Sequence, residues 1–204
     1  MLGRSGIGKS TLLRLLAGLP THGQFNGSIC ANDLSDIRNK TAYMAQSGLL
    51  LPWLDVQQNI LLGQRLRRET RELDRADAII ESMGLSAHRQ KKPNQLSGGM
   101  CQRTALARTL MEDKPIILLD EPFSALDAGT RAEMQELAFE VLQHKTVILV
   151  THDTGEALRL AHHLYVMKDR GFLACAIPNS PPLRLLKDSA CIEAQLKLLS
   201  ALNA

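Results

Sequence analysis

The chain has 204 residues with a formal net charge of +3, 45% hydrophobic residues and 3% aromatics, enough for one domain with a sizeable core. So weak a positive charge does not point to a nucleic-acid partner. Cys30, Cys101, Cys175 and Cys191 lack metal-ligand spacing and read as reduced thiols, and no apolar run approaches the length of a membrane span.

The first element is a phosphate cradle. Gly3-Arg4-Ser5-Gly6-Ile7-Gly8-Lys9-Ser10-Thr11 fits the pattern G-x-x-x-x-G-K-[ST]. Its glycines let backbone amides wrap phosphates, and Lys9 reaches the β- and γ-phosphates. The Ser10 hydroxyl suits Mg²⁺, a hard cation that prefers oxygen. A helix is predicted over Thr11–Ala17, stopped by Gly18 and Pro20. Such a loop normally leaves a buried parallel strand, yet only Met1 and Leu2 precede Gly3. The sequence is therefore expected to be an N-terminally shortened form of a longer protein, because the neighbours of a missing strand keep unpaired backbone groups.

Short strands are predicted over Gly27–Ala31 and Thr41–Ala45, the second followed by Gln46. The next stretch, Ser47 to Asn59 (SGLLLPWLDVQQN), places a Leu/Pro/Trp cluster before a helix. Trp53 there is either packed in its own domain or held for a partner, since aromatics serve both purposes. Two helices are predicted within Val56–Gly84, one rich in Arg65, Arg67 and Arg68, which read as a solvated face.

The stretch from Leu96 to Asp127 carries the densest pattern. Ser97, Gly98 and Gly99 open a helix over Met100–Met111, and free amides at a helix N-terminus suit a phosphate. Pro115 breaks the helix, and Ile116–Leu119 reads as a strand buried on both faces. Asp120 and Glu121 stand at its carboxyl end, where open α/β sheets place chemistry. An amphipathic helix to about Gln143 leads into the strand Thr146–Thr151, with His152 at its end, and a further strand covers Leu164–Met167. Pro178, Pro181 and Pro182 and a final helix near Ser189–Leu202 carry no motif, and no internal repeat appears.

At these residues the chain resembles the ATP-binding cassette (ABC) ATPases. LSGGM is similar to the family's signature motif, ILLDE to its Walker B strand, and Ser124-Ala125-Leu126-Asp127 to its D-loop. Gln46 stands where the family has its Q-loop glutamine, and His152 where it has its switch histidine. The resemblance implies an α/β fold: a P-loop NTPase of ABC type, with a mostly parallel core sheet and a helical signature subdomain. The ATPase domain is expected over 1–170, the helical subdomain over about 56–112, and a short C-terminal extension over 171–204. The family's N-terminal β region, with an aromatic that stacks on adenine, is expected to be truncated.

The function implied is ATP binding and hydrolysis in an ABC import complex, coupled to transport of a small solute. Residues Gly3 to Thr11 (Gly3, Arg4, Ser5, Gly6, Ile7, Gly8, Lys9, Ser10, Thr11) would bind ATP. Ser97, Gly98, Gly99 and Asp127 would complete the ATP site of the opposite subunit in a head-to-tail homodimer. Ser10, Gln46 and Asp120 would hold Mg²⁺. Glu121 would be the general base, with Gln46 and His152 beside the γ-phosphate and attacking water. Integral membrane permease subunits would dock near Gln46–Asn59, and a substrate-binding protein would act indirectly, with no nucleic acid involved. The protein would sit peripherally on the cytoplasmic face of the inner membrane.

The LLPW stretch and Met100 in the signature look most like importers of the nitrate, sulfonate and taurine group, which also includes transporters of thiamine-pyrimidine precursors. Two alternatives are a soluble ABC ATPase of repair or translation, and a nucleotide-binding module without hydrolysis. Repair relatives carry long coiled coils where this chain has a short helical stretch, and translation relatives join two cassettes. The presence of Glu121 and His152 argues for hydrolysis, whereas the missing N-terminal segment argues for the module.

Overall fold

The structure, a computed structural model, describes residues 1–31, 33, 35–169 and 171–203. Strand β1 (Thr41–Met44), β2 (Ile116–Asp120) and β3 (Thr146–Val150) form a parallel sheet in the order β1-β2-β3. Successive residues of β2 face opposite sides. Leu118 packs with Leu13 of helix α1 (Lys9–Leu16), while Ile117 and Leu119 join the main core on the other face. Helices lie on both faces, so the strand is a continuous apolar run.

The main core holds α2 (Val56–Ile60), α4 (Leu73–Ser82), α5 (Gly98–Met111) and α6 (Ala128–Val141) against β1 and β2. The stretch Val56–Gly84, expected as two helices, forms α2, α3 (Leu62–Arg67) and α4. The expected first helix is split at Leu61, which caps α2 and precedes α3 with non-helical geometry. The strand expected over Gly27–Ala31 is also corrected, since only a single bridge, Cys30 to Asp36, forms among the described residues there. Most of Gly23–Gly27 is exposed, so no apolar face draws that segment into a sheet.

Beyond β3 come α7 (Thr154–Leu160), the antiparallel pair β4 (Leu164–Lys168) and β5 (Gly171–Cys175), and α8 (Ser189–Asn203) packed on α7. Leu2 links the two sheets. It makes parallel bridges to Thr151 on one side and Val166 on the other, and it is fully buried. Its N–H donates to the Tyr165 carbonyl at 2.8 Å, and its own carbonyl accepts from Met167 at 2.7 Å. Behind Met1 the space between β3 and β4 is a cleft of ≈ 790 Å³, lined by Val147, Leu149, Tyr165 and Phe172 among others. Hence β3 is exposed at Thr146 and Val147 and fully buried only at Val150. Among the described residues no helix is long and apolar enough to cross a membrane.

Glu156 of α7 is a buried acid beside this junction, 5% exposed, with one carboxyl oxygen lacking a hydrogen-bond partner. Burial pushes its pKa up to about 7 from an ordinary 4.5, reinforced by the Asp153 and Glu121 carboxylates. Between those two values the folded chain keeps a proton that the unfolded chain has lost. Stability should therefore fall as pH rises from 4.5 to about 7 and level off above it. Glu156→Gln should remove this fall and be the more stable form above pH 7, by about 1–3 kcal/mol in urea unfolding. Parallel pH profiles of variant and parent would contradict that assignment.

Candidate active site

The phosphate loop runs from Leu2 into α1. Gly6 and Gly8 take left-handed backbone, with φ of 80° and 100°, a conformation that a side chain would strain. Gly8 occupies the N-cap position of α1, and no side chain caps that end. Its amides therefore stay available to a ligand. Lys9 turns back into the loop. The residue is 6% exposed, and its ammonium donates to the carbonyls of Gly3 at 2.9 Å and Arg4 at 3.0 Å. Among the described residues no carboxylate pairs with it. A buried cation without a counter-charge, beside free amides, fits a phosphate group.

Across from the loop, β2 delivers Asp120, which is 3% exposed. The Ser10 hydroxyl donates to its Oδ1 and the Tyr43 hydroxyl to its Oδ2, each at 3.0 Å. Burial and the neighbouring Asp120 charge push the Tyr43 phenol well above its usual range, so it stays a donor. A hydroxyl and a carboxylate side by side next to a phosphate loop suit a hard divalent cation. Among the described residues no cluster of three or more His, Cys, Asp or Glu could hold a metal. A cation here would therefore share its oxygens with the phosphates.

Glu121 follows with a left-handed φ of 46°, rare for a side-chain-bearing residue. Its N–H donates to the Val150 carbonyl at 2.9 Å, which helps to hold the strained turn. Two flanking loops converge on its carboxylate. Gln46, after β1, donates Nε2 to Oε2 at 3.1 Å, and His152, after β3, places Nδ1 3.0 Å from the same oxygen. The parallel register makes this meeting possible, since Met44 lies level with Leu119, and Asp120 with Val150. Gln46 thus faces Glu121, and its side-chain amide bonds there rather than to Ser10 or Asp120.

The signature residues bond to other partners. Ser97 caps α5 by accepting from the Met100 N–H at 3.3 Å, and Asp127 caps α6 by accepting from the Thr130 N–H at 3.1 Å. Gly99 is needed for close packing, because a Cβ there would lie 2.6 Å from the Thr130 Cγ2. Among the described residues no hydrogen bond or ion pair joins Ser97, Gly98 or Gly99 to the phosphate loop.

A profile described as ABC transporter matches residues 1–124, more than half the chain. This chain belongs to the ABC transporter family. An ABC transporter ATP-binding protein of Haemophilus influenzae, itself uncharacterized, is 48% identical over 170 residues, covering 82% of this chain and 69% of its own. The aliphatic sulfonates import ATP-binding protein SsuB 1 of Rhodococcus jostii is 44% identical, covering 89% of this chain and 72% of its own. SsuB 2 of Agrobacterium fabrum is 42% identical, covering 98% and 76%. A solved ABC transporter of metal-chelate type, in an inward-facing conformation, has the same fold. It aligns with a TM-score of 0.70 at 23% identity, over 97% of this chain and 77% of that one.

Several residues of this ABC site carry no signal in the sequence read alone. Tyr43 looks like an ordinary strand aromatic, and only the fold brings it to Asp120. Asn59 is fully buried, accepting from the Leu51 N–H at 2.8 Å and donating to the carbonyls of Leu51, Leu54 and Asp55 at 3.2, 3.1 and 3.0 Å. It shapes the Leu/Pro/Trp loop, which leaves Trp53 66% exposed. That rules out the reading in which Trp53 is packed in its own domain. Tyr43→Phe should lower stability by about 1–3 kcal/mol, the loss of one hydrogen bond to a buried charge. Unfolding midpoints measured in urea would test this, and an unchanged midpoint would remove Tyr43 from the Asp120 network.

Proposed function

We propose that this chain is the ATP-hydrolysing subunit of an ABC import complex, with Glu121 as its general base. The observation that carries this reading is the convergence of Gln46 and His152 on Glu121 Oε2, beside the Ser10–Asp120 pair. Lys9 and the loop amides of Gly6 to Thr11 neutralise the triphosphate. Ser10, Asp120 and Gln46 would hold Mg²⁺, which would supply further neutralisation of phosphate charge. Glu121 accepts a proton from water at Oε2 as the water attacks the γ-phosphorus in line, the bond to the β,γ-bridging oxygen breaks and ADP leaves, and Gln46 and His152 fix the direction of that carboxylate. His152, with a side chain 60% exposed, is free to turn toward the γ-phosphate.

The active form in this reading is a head-to-tail homodimer, in which Ser97, Gly98, Gly99 and Asp127 complete the nucleotide site of the other subunit. Support comes from the capping bonds of Ser97 and Asp127, which leave the signature without a hydrogen bond to the phosphate loop among the described residues of one chain. Permease subunits dock on the loop between β1 and α2, whose Leu49 and Trp53 are 64% and 66% exposed on a frame held by Asn59. Those contacts place the protein peripherally on the cytoplasmic membrane face. Aliphatic sulfonates are the cargo class carried over from the relatives' names, with a substrate-binding protein delivering them.

Two substitutions separate binding from chemistry. Glu121→Gln should keep nucleotide affinity and lose turnover by about 100-fold or more, because the amide keeps the shape without the basicity. Lys9→Ala should instead weaken ATP binding itself, as the phosphates lose their buried cation. Equilibrium nucleotide binding and steady-state hydrolysis, measured separately, check both. Hydrolysis by Glu121→Gln at the parent rate would assign the base elsewhere.

The shared site has its own test. In mixed dimers with Lys9→Ala in one chain and Ser97→Arg in the other, one site carries both lesions and its twin carries neither. Residual hydrolysis is expected there, and none when both lesions sit in every chain. Sites built within single chains would leave the two preparations equally inactive.

A further inference from the structure

Helix α5 does more than present the signature at its N-terminus. Arg108, near its other end, donates from Nη1 to the Leu49 carbonyl at 2.9 Å and from Nη2 to the Gly48 carbonyl. Both acceptor residues have left-handed backbone, with φ of 66° at Gly48 and 47° at Leu49. A Cβ on Gly48 would lie 3.2 Å from the Ala105 Cβ and 3.5 Å from the Gln102 Oε1. The loop that carries Trp53 therefore rests on Gln102, Ala105 and Arg108, which follow one face of α5 at intervals of three.

Gln102 continues the contact toward the chemistry. It is 7% exposed, and its Nε2 donates to the carbonyl of Pro122. Pro122 directly follows Glu121 in its strained conformation, and the Ser124 hydroxyl bonds the Glu121 carbonyl at 3.0 Å. A strained residue keeps its geometry only while its surroundings hold it. One rigid helix of 14 residues thus grips the surface loop at one point and the turn after the base at another.

We propose that Arg108 and Gln102 are positioning residues that couple the permease-facing loop to Glu121 through α5. This inference rests on the permease docking proposed above. The route is distinct from the direct Gln46–Glu121 bond, because it runs through side chains of a different element. A guanidinium fork on two carbonyls resists both sliding and rotation of the loop, as charge-assisted paired bonds do. Force applied at Trp53 is therefore delivered to α5, and the buried Gln102 amide passes the shift to Pro122. The effect is to reorient the Glu121 carboxylate when the permease engages.

The test uses the whole transporter, assembled with its permease subunits in lipid vesicles, beside the ATPase subunit alone. Arg108→Lys keeps the charge and loses the fork. We expect it to leave the KM for ATP and the turnover of the isolated subunit unchanged, and to cut permease stimulation of turnover by about ten-fold. Gln102→Met, which has no donor for Pro122, should reduce stimulation likewise. Combining Arg108→Lys with Trp53→Ala should cost no more than the worse single change, since both lie on one route.

Full stimulation of Arg108→Lys would overturn the proposal. So would additive losses in the double variant, or a proportional loss of isolated and stimulated turnover with a lowered Tm, which marks a packing role only. If instead Trp53→Ala assembles and is stimulated as the parent is, the docking reading itself fails and this inference falls with it.

Discussion

A carboxylate held almost out of water at the end of a central strand sets the terms for the rest of the site. Asp120 is 3% exposed, and an ionised group so placed needs partners on both oxygens. It takes one from the start of α1, through Ser10, and one from β1, through Tyr43. Those two bonds fix the phosphate loop and the neighbouring strand relative to β2. The loop and the strand ends are thereby brought to one side of the sheet, where a nucleotide and a cation can be met together.

Parallel topology then explains why three unrelated loops share one carboxylate. In a parallel sheet all strands end on the same edge, so Gln46, Glu121 and His152 leave β1, β2 and β3 side by side. An antiparallel neighbour would send its loop to the other edge. The left-handed turn at Glu121 does the remaining work by aiming its side chain between the two flanking loops. The strain of roughly 1–3 kcal/mol that such a residue stores is offset by the bonds to Val150 and Ser124.

Helix α5 adds a second organising element. Its apolar side supplies much of the main core, and its polar side chains bind loops that belong to other segments. Arg108 reaches Gly48 and Leu49, Gln102 reaches Pro122, and Arg103 reaches the Met83 carbonyl after α4 at 3.2 Å. Polar side chains aimed at backbone carbonyls tie these loops to the helix, most firmly at the buried Gln102, where an unmade bond would leave a desolvated donor. The surface loop carrying Trp53 is therefore rigidly framed while its aromatic tip stays in solvent.

The chemical motifs were legible in sequence because their physics is local. Glycines that permit a phosphate loop, a hydroxyl after Lys9, and acids at the end of an apolar run are constrained by backbone geometry over a few residues. Gly3 to Thr11, Asp120, Glu121 and the strands ending at Gln46 and His152 could all be read that way, as could the parallel α/β class. Tyr43, Gln102 and Arg108 could not, because each takes its role from a partner 20 to 77 positions away. The segment Gly27–Ala31 misled for the same reason: β propensity without an adjoining strand gives one bridge and no ladder. The exposure of Trp53 was likewise undecided until Asn59 was seen to gather the loop beneath it. Local composition determined which groups could do phosphate chemistry; long-range packing alone decided which of them meet, because a hydrogen bond depends on distance in space and not along the chain.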